Sequence, residues 1–239
     1  EHFYPEYLDH LSTCKSPQQM FGALAKTYYA EKAGLDPKDI YVVSIMPCTA
    51  KKFECGRPEM SSTGYPDVDA VLTTRELGKM LRQAGIVFSE LPEEQYDEPF
   101  GITTGAGVIF GASGGVMEAA LRTAYEIITG RELPFEELHI KPLSGFDRVK
   151  TAEIKIENPL KEYAHFNGVT LKVAVTSGTK GANQLMEQIK KESSPYHFIE
   201  VMGCPGGCIM GGGQPRSRDK EVRQKRLNGI FREDEGKTL

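Results

Sequence analysis

Two short segments concentrate residue types that bind soft metals. In EVMGCPGGCIMGGGQPRSRD, Cys204 and Cys208 flank Pro-Gly-Gly and three more glycines follow. Thiolates are the ligands of zinc and of iron–sulfur clusters, and a cubane cluster takes four of them. Glycine-rich backbone suits a bulky inorganic group, because without a Cβ it approaches closely and can aim amide N–H groups at sulfur. The pair is therefore read as two ligands of an iron–sulfur centre, against the plainer readings of buried small hydrophobes or half a zinc site.

The segment SIMPCTAKKFECGRPE sets Lys51 three residues after Cys48 and Glu54 three after that. On a helical turn these positions share roughly one face, so a thiolate, a cation and a carboxylate can converge. Lys51 can then give a charge-assisted hydrogen bond to an anionic ligand while Glu54 holds it in place. The plain alternative is a surface ion pair of little energetic consequence. Cys14 and Cys55 are read as buried small residues without a role in the chemistry. His2, His10, His139, His165 and His197 lack metal-ligand spacing, and His197 is read as structural.

Patterning predicts the elements that carry these residues. Ser16 as N-cap and Pro17 at the first helical position open a helix through Ala33, with Met20, Leu24 and Tyr28 at helical spacing. The run DIYVVSIMPC is a short strand delivering Cys48 at its carboxyl end. A strand over 69–72, a Thr74 cap and a helix to Ala84 stopped by Gly85 follow. GITTGAGVIFGASGGVMEAALRTAYEIITG reads as a glycine-rich loop feeding a helix from about Gly115 to Ile128, ended by Gly130. It lacks the Lys-Ser/Thr ending of a phosphate loop, so nucleotide binding is not expected. TLKVAVTSG is a strand, ANQLMEQIKKE a helix, and HFIEVMGC a strand leading to Cys204. Strands alternating with helices predict an α/β fold with mostly parallel sheets, and both cysteine motifs fall at the carboxyl ends of strands, where such sheets gather ligands. The basic stretch RSRDKEVRQKRLNGIFRED is read as a solvated helix whose surface can face an acidic electron donor.

Composition narrows the class. The chain has 239 residues, 39% hydrophobic and 26% charged, as ordinary folded proteins do. A formal charge of −4 gives no basic field for nucleic acid, and no apolar run approaches the roughly 20 residues that cross a bilayer. No nucleic-acid or membrane partner is expected. Five unevenly spaced cysteines point to a reducing compartment, read as the cytoplasm, rather than to a disulfide framework.

Together with LSTCKSPQQMFG and GAGVIFGASGGVMEA, the two cysteine segments resemble the catalytic domain of the [FeFe]-hydrogenases, from Glu1 to at least Arg218. The resemblance implies an H-cluster, a [4Fe–4S] cubane joined to a two-iron unit with CO, cyanide and a bridging dithiolate amine. Cys48, Cys204 and Cys208 match cubane ligands, and Cys208 matches the one bridging to the two-iron unit. Lys51 matches the lysine that hydrogen-bonds cyanide, with Glu54 beside it, and Ser12 matches a serine of the proton path. Ser16, Pro17 and Gln18 match residues lining the pocket. Met46, Phe110 and Met202 match its apolar wall, and Gly111 matches a cofactor-binding position.

The implied activity is reversible combination of two protons and two electrons to hydrogen. The alternative is a non-catalytic relative, engaged in iron–sulfur cluster assembly or in hydrogen sensing; MPCTAKKFE with Lys51, and KSPQQ, favour the enzyme. The implied architecture is two lobes, each a mostly parallel twisted sheet flanked by helices, with the cluster in the cleft between. The lobes are drawn as 1–128 and 129–218, with a C-terminal helical segment at 219–239. Implied partners are ferredoxin or NADH-linked electron-transfer subunits, and maturation proteins. The family's first cysteine motif, with a fourth cubane ligand and a proton-relay cysteine, is not in this sequence. The chain is therefore expected to be a piece of a longer protein, inactive alone.

Overall fold

Pro17 sets the entry of α1 (Pro17–Leu24), which runs through a π-helical turn (Ala25–Tyr29) into α2 (Ala30–Ala33) and stops at Gly34, whose φ of 66° favours glycine. This is the helix expected from sequence, but its apolar stripe is not its buried face. Met20, Leu24 and Tyr28 are 39%, 51% and 52% exposed, while Gln18, Gln19, Gly22, Ala25 and Lys26 are buried. Gly22 explains the choice of face: a Cβ there would lie 2.1 Å from the Asp67 carbonyl oxygen, so only glycine lets the helix lie directly on the 66–69 segment. Lys26 follows one turn later and binds both carboxylate oxygens of Asp69 at 2.8 and 2.7 Å and the Pro66 carbonyl at 2.6 Å. Before the helix, Lys15 binds Asp67 at 2.6 Å.

The computed structural model describes residues 1–101, 104–133, 149–217, 219 and 221–235. By contacts the chain divides into two units, Glu1–Ile102 with Gly211–Arg216, and Thr103–Met210 with Ser217–Leu239. This division falls at the start of the glycine-rich segment, whereas the lobes 1–128 and 129–218 drawn from sequence part after Ile128. Arg218, the expected limit of the resemblance, lies outside the described residues.

In the first unit β1 (Val43–Met46) leads to α3 (Ala50–Glu54), and β2 (Ala70–Thr73) to α4 (Thr74–Gln83). The strands pair in parallel, from Val43 opposite Ala70 to Met46 opposite Thr73. Thr73, not the expected Thr74, is the N-cap of α4: its hydroxyl accepts the Glu76 N–H while Glu76 reaches back to the Thr73 N–H, a reciprocal capping box. Val42, Val68, Val71 and Ala25 form the core, with Met46 against it.

The second unit contains α5 (Ala106–Ile109), α6 (Gly115–Thr129), β3 (Val149–Lys155), β4 (Thr170–Ser177), α7 (Thr179–Lys190), β5 (Phe198–Met202) and α8 (Glu221–Asp234). The sheet order is β3-β4-β5. β4 and β5 are parallel, joined by the crossover helix α7, but β3 and β4 are antiparallel over seven residue pairs. The mostly parallel expectation therefore fails for this pairing. A 3-10 segment (Lys161–Phe166), not the α-helix that usually makes a parallel crossover, lies between β3 and β4. Met117 and Leu121 of α6 pack on Ile154, Val173 and Val175 of the sheet. The basic α8 is not simply solvated: Leu227 is buried with Ala112 and Ile209, beside Ile230 and Phe231.

Candidate metal centre

In the first unit, β1 ends one residue before Pro47, and Cys48 stands half-buried in the turn before α3. Lys51 and Glu54 pair on α3, with Cys48 in the turn before the helix, and Glu54 is the hub of a polar cluster. Its carboxylate receives Lys51 Nζ at 2.8 Å, Ser16 Oγ at 2.7 Å and Gln18 Nε2 at 2.8 Å. Ser16 occupies the N-cap position of α1 but makes no capping bond, because its hydroxyl is turned to Glu54. Burial pushes the Glu54 carboxyl up, but the hydrogen bonds from Lys51, Ser16 and Gln18 outweigh it and hold the group below its ordinary 4.5. Gln18 Oε1 is buried without a hydrogen-bond partner, an acceptor left over at the same place. Pro17, the first residue of α1, is exposed.

Gly213, in the glycine run after Cys208, seats on the Cys48 turn. Its N–H donates to the Pro47 carbonyl at 2.9 Å, and a Cβ there would lie 2.8 Å from the Pro47 carbonyl carbon and 3.0 Å from the Cys48 nitrogen. The cysteine turn is thus packed against backbone where a side chain has no room.

In the second unit β5 leads through Gly203 to the CPGGC loop. Gly206 and Gly207 both have positive φ, 87° and 91°, which makes the tight turn between the cysteines. A Cβ on Gly207 would meet the Ser113 nitrogen at 2.5 Å and the Gly111 carbonyl oxygen at 2.7 Å, so the loop lies directly on the glycine-rich segment before α6. The Ile209 N–H donates to the Gly111 carbonyl at 3.0 Å and the Ser113 N–H to the Gly206 carbonyl at 3.4 Å. Ser113 Oγ is buried with no hydrogen-bond partner. Met202 ends β5 half-buried. Phe110 packs with Ala106, Ile109, Ala119 and Phe231.

Sequence reading missed Glu200, the buried carboxylate of β5. It accepts the Gly114 N–H at 2.6 Å and the Met117 N–H at 2.8 Å, capping α6 from another element because Gly114 has no side chain to do so. A charged residue on the buried face of the HFIEVM alternation was the available signal. Ser12 is exposed, and its Oγ accepts the Cys14 N–H at 3.2 Å, a local turn. Cys14 itself is exposed, contrary to the burial expected of it, because it sits in the loop before α1 rather than on a packed face. His197 Nδ1 accepts the Lys172 N–H at 3.0 Å, the structural role expected.

None of the five cysteines is in a disulfide, and Cys48, Cys204 and Cys208 are each partly accessible. Among the described residues no three His, Cys, Asp or Glu side chains group so as to hold a metal ion. Within its own unit each motif still suits an iron–sulfur group: thiols on backbone too tight for a Cβ, each beside an orphaned buried polar atom. Residues 1–212 match the family described as iron only hydrogenase large subunit, C-terminal domain. The chain belongs to that family.

This hydrogenase-family chain is 51% identical over 90% of its length to the periplasmic [Fe] hydrogenase large subunit of Nitratidesulfovibrio vulgaris, spanning 48% of that protein. It is 35% identical over 94% of its length to a cytosolic iron-sulfur assembly component 3 of Bos taurus, spanning 47% of it. Against a solved [FeFe]-hydrogenase of Chlamydomonas reinhardtii the TM-score is 0.83 at 41% identity, covering 99% of this chain and 64% of that one. The chain thus spans less than half the length of these curated relatives. The α/β architecture of helix-flanked sheets is that of the hydrogenase neighbours, and iron–sulfur chemistry is what the family implies. Among the described residues no helix is long and apolar enough to cross a membrane.

Proposed function

We propose that the protein of which this chain forms part is a hydrogenase, interconverting hydrogen with two protons and two electrons. The observation that carries this reading is the convergence of Lys51, Ser16 and Gln18 on Glu54, six residues after Cys48. An iron–sulfur group alone needs only thiolates. A cation fixed by a carboxylate, itself held by a hydroxyl and an amide, is the apparatus for orienting a donor toward an anionic ligand.

Cys48, Cys204 and Cys208 would hold the iron centre, Cys208 being the ligand that would also serve the two-iron unit, and the bound group would supply the metal chemistry of hydrogen. Lys51 would donate from Nζ, with Glu54 limiting its swing. Ser16, Pro17 and Gln18 would line the pocket next to it. Met46, Phe110, Gly111 and Met202 would exclude water, and Ser12 would pass protons at Oγ. Ferredoxin or NADH-linked subunits as electron partners, maturation proteins and a cytoplasmic setting belong to the same proposal.

The second reading is an iron–sulfur assembly protein, favoured by the relatives of that name at 35% identity. Infrared absorption of the matured full-length protein separates the two. Bands of metal-bound CO and cyanide are expected for the hydrogenase. A fully iron-loaded protein without them would be the assembly-type relative.

A further inference from the structure

The helix α8 begins beyond residue 212, where the family match ends, yet it lies on the CPGGC loop. A Cβ built on Gly206 would stand 3.0 Å from Arg223 Nε and 3.1 Å from its Cζ and Nη2, so the guanidinium fills the space a side chain would have taken between the two cysteines of the loop. One turn along, Arg226 Nη1 donates to the Ile209 carbonyl at 2.8 Å and lies 3.8 Å from Met210 Sδ. The helix is held in this place at its middle by Leu227 against Ala112 and Ile209. At its end Asp234 pairs with Arg122 of α6 at 2.8 Å. Arg223 therefore brings a positive charge against the backbone that carries Cys204 and Cys208.

We propose that Arg223 sets the reduction potential of the iron–sulfur centre bound by Cys204 and Cys208, holding it higher than the thiolates alone would. The inference rests on the iron–sulfur reading of those cysteines. One-electron reduction by an external donor adds one negative charge to the centre and moves no proton in this scheme. A fixed cation beside the loop stabilises the reduced, more negative form by Coulomb attraction, so the potential rises. Arg223 is only partly buried, and the effect is accordingly screened by salt.

Arg223→Gln removes the charge and Arg223→Lys keeps it. Lys225, on the same helix, is 68% exposed and paired with Glu221 at 2.9 Å, so Lys225→Gln is the control for charge on the helix in general. The measurement is a redox titration of the iron-loaded full-length protein with dithionite, followed by electron paramagnetic resonance, with iron content determined in parallel. The expected result is a lower midpoint potential for Arg223→Gln, a value near the parent for Arg223→Lys, no change for Lys225→Gln, and a Gln shift that shrinks in high salt. Equal midpoints for Arg223→Gln and the parent at equal iron content overturn the proposal. So does matching loss of iron in Arg223→Gln and Arg223→Lys, which would make Arg223 a packing residue only. A parent protein that takes up no iron would overturn the iron–sulfur reading and this inference with it.

Discussion

Ser16 donates its hydroxyl hydrogen to the Glu54 carboxylate at 2.7 Å, joining the start of α1 to the end of α3 across 38 positions of sequence. The bond costs α1 its side-chain cap and places the helix start beside the Cys48 turn.

Replacing Ser16 with alanine removes one of the bonds that hold the Glu54 carboxyl below 4.5. A carboxyl with a depressed folded-state value contributes stability above its unfolded value and loses it as pH falls through the folded one. Ser16→Ala is expected to move the Glu54 titration upward and to cost roughly 1–3 kcal/mol at neutral pH, as for hydrogen bonds to charged groups. Carbon-detected NMR titration of Glu54 and denaturant unfolding measure both; an unmoved titration would show that the bond is not formed in solution.

Gly207 and Gly203 make a matched pair. At Gly207, φ of 91° and a Cβ 2.5 Å from the Ser113 nitrogen leave no relaxed arrangement, whereas a Cβ at Gly203 meets nothing within 4 Å. Gly207→Ala is expected to lower stability by at least about 1–3 kcal/mol from backbone strain alone and to abolish iron uptake. Gly203→Ala is expected to melt and load iron as the parent does. Similar melting curves for the two variants would contradict the packing of the loop on Gly111–Ser113.

Burial raises the Glu200 carboxyl above 4.5 despite the N–H bonds it accepts from Gly114 and Met117. The folded protein then holds this proton more tightly than the unfolded chain, so the associated stability is full below the unfolded value and is lost as pH rises through the raised one. Glu200→Gln, which keeps an acceptor but cannot ionise, is expected to flatten that slope in unfolding curves taken over about pH 4 to 7. Glu200→Ala is expected to cost about 1–3 kcal/mol or more, because it leaves buried N–H groups unpaired. A parent slope retained in the Gln variant would assign the pH dependence to another group.

Lys26 is 1% exposed and paired with Asp69, so truncating it leaves a carboxylate without its cation. Lys26→Met is expected to destabilise by roughly 3–5 kcal/mol. Lys38→Met, which breaks the exposed pair with Asp36, is expected to leave the melting temperature unchanged. Comparable losses in the two would mean that Lys26 is hydrated rather than buried.

Local chemistry made much of the fold legible. Proline at a helix start, Gly85 and Gly130 beyond helix ends, and β-rich runs before each cysteine motif act over a few residues, so they can be read in order along the chain. The antiparallel β3 was not legible, because which way a strand pairs depends on the connection and on a partner chosen in three dimensions. The polar buried face of α1 escaped for the same kind of reason: Gln19 and Lys26 look like solvent-facing residues, and only the fold sets Asp69 against Lys26.

By itself the sequence determined the chemistry available: which thiols have glycine around them, and which cation and carboxylate lie one helical turn apart, since covalent spacing alone sets those relations. Only the tertiary structure decided that Ser16 and Gln18 join Lys51 at Glu54, that Glu200 caps α6, and that Arg223 rests on Gly206. Those are contacts between residues 36 or 38, 86 and 17 positions apart, chosen by packing and by the need to satisfy buried polar groups, and none of them is written in local spacing.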